Sequence, residues 1–366
     1  MPEFVKGLEL SRLFFEEAVR PVLEESFPAL RYAAALLGTG SEVLGFDTEM
    51  SSDHGWGPRF DLFLGEADYD AARESIKETL RQKLPHSFHG YSTSFTEPDL
   101  NDHGVQRPDS RTFGPVNHKV EITTPRGFIL DYLDFRIERE IEPADWLTFP
   151  EQKLRTFTRG AVFHDSIGLE DVRRRFAYYP EDVWLYMLGA AWARVGQEEH
   201  LMGRAGMVGD EIGSALIGAR LVRDLMRLCF LMEKTYAPYP KWFGTAFMQL
   251  NCAPSLSPHL RAALASDTWR EREEHLARAY RLVAEKHNAL GVTEPLPAEP
   301  RNFFGRPFRV IELQGFAKST LARIKDERVR RIAARKPIGG IDLFSDSTDL
   351  VSHASWRATL RKLYEY

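Results

Sequence analysis

The residues with the clearest chemical potential are Gly40-Ser41, with Gly45 behind them, then Ser52-Asp53-His54-Gly55, and further along the chain Glu121. A Gly-Ser turn lets backbone amides and a hydroxyl approach phosphate oxygens closely, because glycine presents no side chain. Hard divalent cations want carboxylate oxygens. Two acids two apart on a strand, with a third on a neighbouring strand, would therefore cradle a pair of such ions. Where that pair would read Asp-x-Asp, the chain reads Asp53-His54-Gly55. The second carboxylate is absent, and His54 is a poor ligand for a hard cation and alternates to the other face of a strand. Asp61, eight residues past Asp53, and Asp47, six before it, could complete the set only if the intervening backbone loops back.

These residues need elements to position them. Leu10, Phe14, Val19 and Leu23 recur near the helical period among glutamates, which predicts an amphipathic helix over 8–27. Tyr32 to Leu37 reads as a buried strand feeding the turn Gly38-Thr39-Gly40. In 59–64, Phe60, Leu62 and Leu64 alternate with Arg59, Asp61 and Phe63, a second strand. Helical spacing returns over 68–84, Phe88 to Phe95 reads as a strand, and 97–116 as a Pro-, Asp- and Gly-rich loop. Asn117 to Thr124 is a β-branched alternating strand with Glu121 facing away from Val120 and Ile122, and 125–133 fits helix or strand equally. Beyond about 166 strand signals become rare, and long apolar stripes run through 184–195, 216–232, 270–290, 313–335 and 354–364. The expected architecture is α/β (α+β): a small mixed sheet with flanking helices over 1–165, then an all-α part over 166–366 that closes the cleft.

Length supports two domains of roughly 150 to 200 residues. A net charge of -5 excludes wholesale electrostatic attraction to nucleic acid but not a local basic patch. The two cysteines, Cys229 and Cys252, sit in apolar surroundings and read as buried thiols. The N-terminus has no basic segment leading into an apolar core, and no apolar run approaches the roughly 20 residues that span a bilayer. A cytoplasmic protein without a membrane partner is expected.

On Gly40-Ser41, Gly45, Ser52-Asp53 and Val120-Glu121-Ile122, the chain resembles the nucleotidyltransferase superfamily, the group that contains DNA polymerase beta and the antibiotic nucleotidyltransferases. Longer phrases are similar to a bacterial family of unknown function placed in that superfamily: Trp56-Gly57-Pro58-Arg59, Gly160-Ala161-Val162-Phe163-His164-Asp165, Tyr179-Pro180-Glu181-Asp182-Val183-Trp184 and Leu221 to Phe230. The resemblance implies transfer of a nucleoside monophosphate from a triphosphate to a hydroxyl of a small molecule, a protein or an RNA, with magnesium or manganese. It implies that Gly40 and Ser41 hold the triphosphate with Arg59 beside them, that Asp53 is the first metal ligand, and that Glu121 is the third carboxylate and the base for the acceptor hydroxyl. Gly55 in the second ligand position implies an alternative, a nucleotide-binding or regulatory module without catalysis.

Arg220, Arg223, Arg227 and Lys234 fall within about 60° on one helical face. With Tyr236, Tyr239 and Lys241 they offer a cationic, aromatic wall for a nucleotide. The plainer reading is a salt-bridged face. Seven cations in 323–336 could bind an RNA backbone, although no aromatic residue is interleaved. His164-Asp165, Gln197 to His200 and the pair His86 and His89 lack a regular ligand spacing and read as structural or surface groups.

Overall fold

The computed structural model describes residues 3–53, 55–101 and 104–365, without the side chains of Ser52 and Asp53. In chain order its elements are α1 (Gly7–Leu13), α2 (Arg20–Ser26), β1 (Tyr32–Leu36), β2 (Arg59–Leu64), α3 (Glu66–Lys83), β3 (Ser87–Phe88), β4 (Tyr91–Ser92) and β5 (Lys119–Thr123). There follow α4 (Pro125–Leu133), α5 (Pro143–Thr148), α6 (Glu151–Arg159), β6 (Ala161–Asp165), α7 (Leu169–Arg174), α8 (Glu181–Met207), α9 (Glu211–Met232), α10 (Pro240–Phe247), α11 (Ala253–Ala265) and α12 (Trp269–Ala289). The chain ends with β7 (Arg301–Phe303), β8 (Arg306–Val310), α13 (Phe316–Leu321), α14 (Glu327–Ala333) and three short helical pieces. Two compact units result: Met1–Glu140 with Lys153–Ala177, and Ile141–Gln152 with Tyr178–Tyr366.

The first unit is built on a four-stranded mixed sheet of order β5-β2-β1-β6, with β2 parallel to β5 and β1 antiparallel to both its neighbours. β1 reads Tyr-Ala-Ala-Ala-Leu and is buried along its whole length. Small side chains on the central strand let helices close on both faces. On one face Phe60, Leu62, Leu64, Val120 and Ile122 join Leu10, Phe14, Phe15, Ile76 and Leu80 in a single core. The expected first helix forms as α1 and α2 joined by a π segment, Phe14–Val19, in which the consecutive Phe14 and Phe15 are both fully buried. Each packs its ring against Phe60.

On the other face Phe63 meets Phe128 of α4, ring centroids 5.4 Å apart, and Phe128 stacks on Phe157 of α6. The ambiguous stretch 125–133 is therefore a helix. Thr124 caps it by accepting from Gly127 N at 2.9 Å, and Pro125 occupies the first turn, where its missing N–H costs nothing. The strand expected over Phe88 to Phe95 is interrupted: His89 and Gly90 adopt positive φ, 49° and 81°, and turn the chain into the β3–β4 hairpin. A two-residue turn of that kind folds a strand back on itself.

The second unit is helical apart from the β7–β8 hairpin. α8 and α9 run antiparallel, since Trp184 at the start of α8 donates Nε1–H to Leu231 O near the end of α9, at 2.8 Å. The glycine-rich 202–210 segment finishes α8 and turns into α9, which Asp210 caps by accepting from Gly213 N at 2.8 Å. The expected helix over 313–335 is broken into α13 and α14, because Asp326 caps α14 and Asp182 accepts the Lys325 backbone N–H at 3.1 Å. Among the described residues no helix is long and apolar enough to cross a membrane.

Candidate functional site

The parallel register between β2 and β5 pairs Arg59 with Lys119, Phe60 with Val120, Asp61 with Glu121 and Leu62 with Ile122. Phe60, Leu62, Val120 and Ile122 point into the core, so alternation puts Arg59, Asp61, Lys119 and Glu121 on the opposite face. Two charged rows follow. Arg59 sits beside Lys119, and one step along the strands Asp61 sits beside Glu121. Like charges directly opposite one another on neighbouring strands are destabilising, and both rows carry that cost.

The electrostatics of the side chains reflect it. Asp61 is raised from 3.8 to about 7, first by burial, with Arg59 and a backbone hydrogen bond from Leu37 pulling down and Glu121 pushing further up. Its Oδ2 is buried and has no hydrogen-bond partner among the described residues. The Lys119 ammonium is lowered to about 8, first by burial and then by Arg59, and its Nζ lies 4.4 Å from the centre of the Phe95 ring. Tyr132 of α4 borders the acidic row: its phenol is pushed up to about 12, chiefly by burial, and its hydroxyl lies 2.6 Å from Thr156 Oγ1.

The Gly38 to Gly45 turn leaves the end of β1 beside Arg59, since β1 pairs antiparallel with β2. Arg59 Nη2 donates to Thr39 O at 2.6 Å, and Nε donates to the buried Glu42 Oε1 at 2.8 Å. Gly40 is required there: a Cβ would stand 2.5 Å from Arg59 Nη2 and 2.7 Å from Glu42 Oε1. Gly45, at φ 71°, closes the turn by donating to Glu42 O at 3.1 Å. Gly40, Ser41, Arg59, Asp61 and Glu121 thus belong to one neighbourhood of the sheet. Lys119, Glu42 and Tyr132 belong to it too and went unmarked in the sequence, although Arg-x-Asp and Lys-x-Glu on two alternating strands were the available signal.

The remaining acids fare differently. Asp47 is engaged elsewhere: its buried Oδ2 accepts from Gly7 N at 2.7 Å and Trp56 Nε1 at 3.2 Å, with Lys6 Nζ 3.5 Å from Oδ1. That ties α1 to the segment before β2. The backbone of Asp53 ends a 3-10 turn, Glu49–Asp53, ahead of the strand, while its side chain and all of His54 lie outside the described residues. Gly55 is exposed at φ 67°, and a Cβ there would meet nothing within 4 Å. Among the described residues no three His, Cys, Asp or Glu side chains converge in a metal-holding group. His164 packs on Tyr32, His200 stacks on Phe303, and Asp165 accepts from the backbone N–H groups at the start of α7.

Within the second unit, the cationic stripe of α9 is matched by acids. Arg220 pairs with Glu198, Arg223 with Asp346, and Lys234 with Glu181 at 3.2 Å while lying over Trp184. Arg227 lies over Phe243 and pulls down the carboxyls of Glu151 and Asp342, both of which burial raises. Arg223, Arg227, Tyr239 and Phe243 line a cavity of about 280 Å³. Tyr236 is buried against Tyr178 and Tyr179, and Lys241 covers Trp242. The basic run is also divided: Arg328 pairs with Asp326, and Arg330 Nε donates to Ile324 O at 2.9 Å.

Residues 146–243 match the family described as a domain of unknown function, DUF4037. No curated protein matches the chain. Among solved structures the chain is similar to a nucleotidyltransferase-like protein from Exiguobacterium sibiricum 255-15, at 11% identity and TM-score 0.34, over 76% of this chain and 77% of that one.

Proposed function

We propose that the sheet-bearing unit binds a nucleoside triphosphate with a divalent cation and transfers its nucleoside monophosphate to a hydroxyl acceptor. The observation that carries this reading is the register of β2 on β5, which sets a cationic row, Arg59 and Lys119, directly beside an acidic row, Asp61 and Glu121. A metal-bound polyphosphate is the ligand that answers both rows at once, anion against cations and cation against anions. The donor set fits a hard cation such as magnesium or manganese: two carboxylates, one holding a buried oxygen without a partner among the described residues. Asp61 and Glu121 would hold that ion, which supplies charge neutralisation to the polyphosphate when bound.

The chain's own groups divide the remaining work. Arg59, anchored to Thr39 O and Glu42, presents a fixed guanidinium to the phosphates beside the Gly40-Ser41 turn. A phosphate beside Lys119 would favour its ammonium form, opposing the burial and the Arg59 charge that hold its pKa down to about 8. Glu121, the exposed carboxylate of the row, takes the proton of the acceptor hydroxyl. A second reading, nucleotide binding without transfer, is favoured by one observation: Gly55 stands where the second carboxylate of the Asp-x-Asp frame would be.

Thermal denaturation with each triphosphate, with and without magnesium, tests the binding, and labelled triphosphate with a cell extract tests transfer. Cation-dependent stabilisation that disappears in Asp61→Asn supports the site. Stabilisation without labelled product supports the second reading, and no response to any triphosphate overturns both.

A further inference from the structure

The chain has two cysteines, Cys229 and Cys252, and the fold of the helical unit brings them together. Cys229 lies near the end of α9 and is fully buried, while Cys252 is half-buried at the N-terminal cap of α11. Both line one cavity of about 330 Å³ together with Leu256, Val283 and Lys286. The cysteine backbone is held in place. Glu233, which follows α9, accepts from Cys252 N at 2.9 Å and Asn251 N at 2.7 Å, and pairs with Lys286 Nζ at 2.9 Å.

We propose that Cys229 and Cys252 form a peroxide-responsive dithiol, in which Cys252 is oxidised first and Cys229 resolves it to an intrachain disulfide linking α9 to α11. Two features favour that order. Cys252 is half-buried, whereas Cys229 is sealed from solvent, with its proton held on by the neighbouring Cys252 thiol and by burial. The oxidant is a hydroperoxide. The Cys252 sulfur attacks its terminal oxygen, the O–O bond breaks, the thiol becomes a sulfenic acid, and water or an alcohol leaves with the thiol proton. The Cys229 sulfur then attacks the Cys252 sulfur, the S–O bond breaks, and the hydroxyl departs as water carrying the Cys229 proton. Two thiols are oxidised and one hydroperoxide is reduced. With no third cysteine in the sequence, intrachain exchange has a single product.

The test is intact-mass spectrometry of the full chain titrated with hydrogen peroxide, followed by peptide mapping without reductant. The expected result is loss of two hydrogens, a linked peptide pair containing residues 229 and 252, a rise in the unfolding midpoint, and full reversal by a thiol reductant. Cys252→Ser should show no mass change at the same peroxide dose. Cys229→Ala should instead accumulate oxygen on Cys252, and because Cys252→Ser changes only a half-buried atom, a folding defect in the Ala variant leaves the first comparison intact. Wild-type protein that gains two or three oxygens on Cys252 without losing hydrogens would overturn the proposal. So would disulfide-linked dimers in place of the intrachain product, or indifference to peroxide.

Discussion

The two units use charge in opposite ways. On the β2–β5 face cation lies beside cation and acid beside acid; Arg59 is held by Glu42, and among the described residues Asp61 Oδ2 has no partner. On α9, Arg220, Arg223 and Lys234 each meet an acid of their own unit. Charge that is matched pair by pair supports a scaffold, whereas like charges set side by side with a buried carboxylate oxygen unmatched suit a ligand that brings both signs. The sequence alone cannot separate the two cases, because it shows how many charges an element carries and not what each one faces.

The largest effect should come from breaking the deepest compensated pair. Asp145 is fully buried and bonded by both Arg357 and Arg361, and Arg357 is itself buried over the Phe149 ring. Arg357→Ala removes one of the two guanidiniums bonded to this buried carboxylate and should cost about 3–5 kcal/mol of unfolding free energy. Denaturant titration of the full chain reads this directly, and a loss under about 1 kcal/mol would place Asp145 among ordinary surface pairs.

Next comes the β2–β5 face. Glu121→Gln and Asp61→Asn should each lower transfer by roughly 100-fold or more, the scale for a positioned proton acceptor and for a metal-bound carboxylate. Neither should lower stability in the absence of ligand. Gly55→Asp should raise transfer if the missing carboxylate limits it. Aspartate tolerates the left-handed backbone at that position better than most residues, and nothing stands within 4 Å of its Cβ. An Asp variant no faster than the wild type would show that Asp61 and Glu121 suffice.

Asp61 also ties the face to pH. Its pKa is raised in the folded state, from 3.8 to about 7, so the folded protein binds that proton more tightly than the unfolded chain does. The resulting stability is fully present below about pH 4 and is lost as pH rises through about 7. A cation binds the ionised form, so cation-dependent stabilisation should grow over the same window while ligand-free stability falls. Asp61→Asn should flatten both trends and stabilise the ligand-free protein by about 1–3 kcal/mol near pH 8, the cost of a buried polar group left unsatisfied. Thermal melts across that range, with and without magnesium and a triphosphate, check the sign of each trend.

Much of this could be read before the fold was known, and the failures have physical causes. β1, β2 and β5 announced themselves by alternation and burial, and Thr124-Pro125 carried the start of α4 even where periodicity was silent. The broken strand at His89-Gly90 was concealed because a non-glycine residue with positive φ leaves no mark in hydrophobic pattern. Spacing counted along the chain favoured Asp53 through the Asp-x-Asp frame, and the Asp53 side chain lies outside the described residues. The pairing of Asp61 with Glu121 depends on inter-strand register, which no local pattern encodes. Lys119 was hidden for the same reason.

The smallest effect should come from the stripe. Arg223 and Asp346 form an ion pair in which Asp346 is largely exposed, and exposed pairs are worth about 0–1 kcal/mol. Asp346→Ala should therefore change stability by less than about 1 kcal/mol, and it leaves Arg223, which Asp224 still faces at 4.0 Å, with one acid fewer on the wall of the cavity that Arg227, Tyr239 and Phe243 also line. If compensation is what silences the stripe, that arginine should give the helical unit an affinity for inorganic phosphate or pyrophosphate that the wild type lacks. The gain should vanish in the double variant with Arg223→Ala. Phosphate binding by the wild type equal to that of Asp346→Ala would show that the stripe was open all along, and the contrast between the two units would then be one of degree.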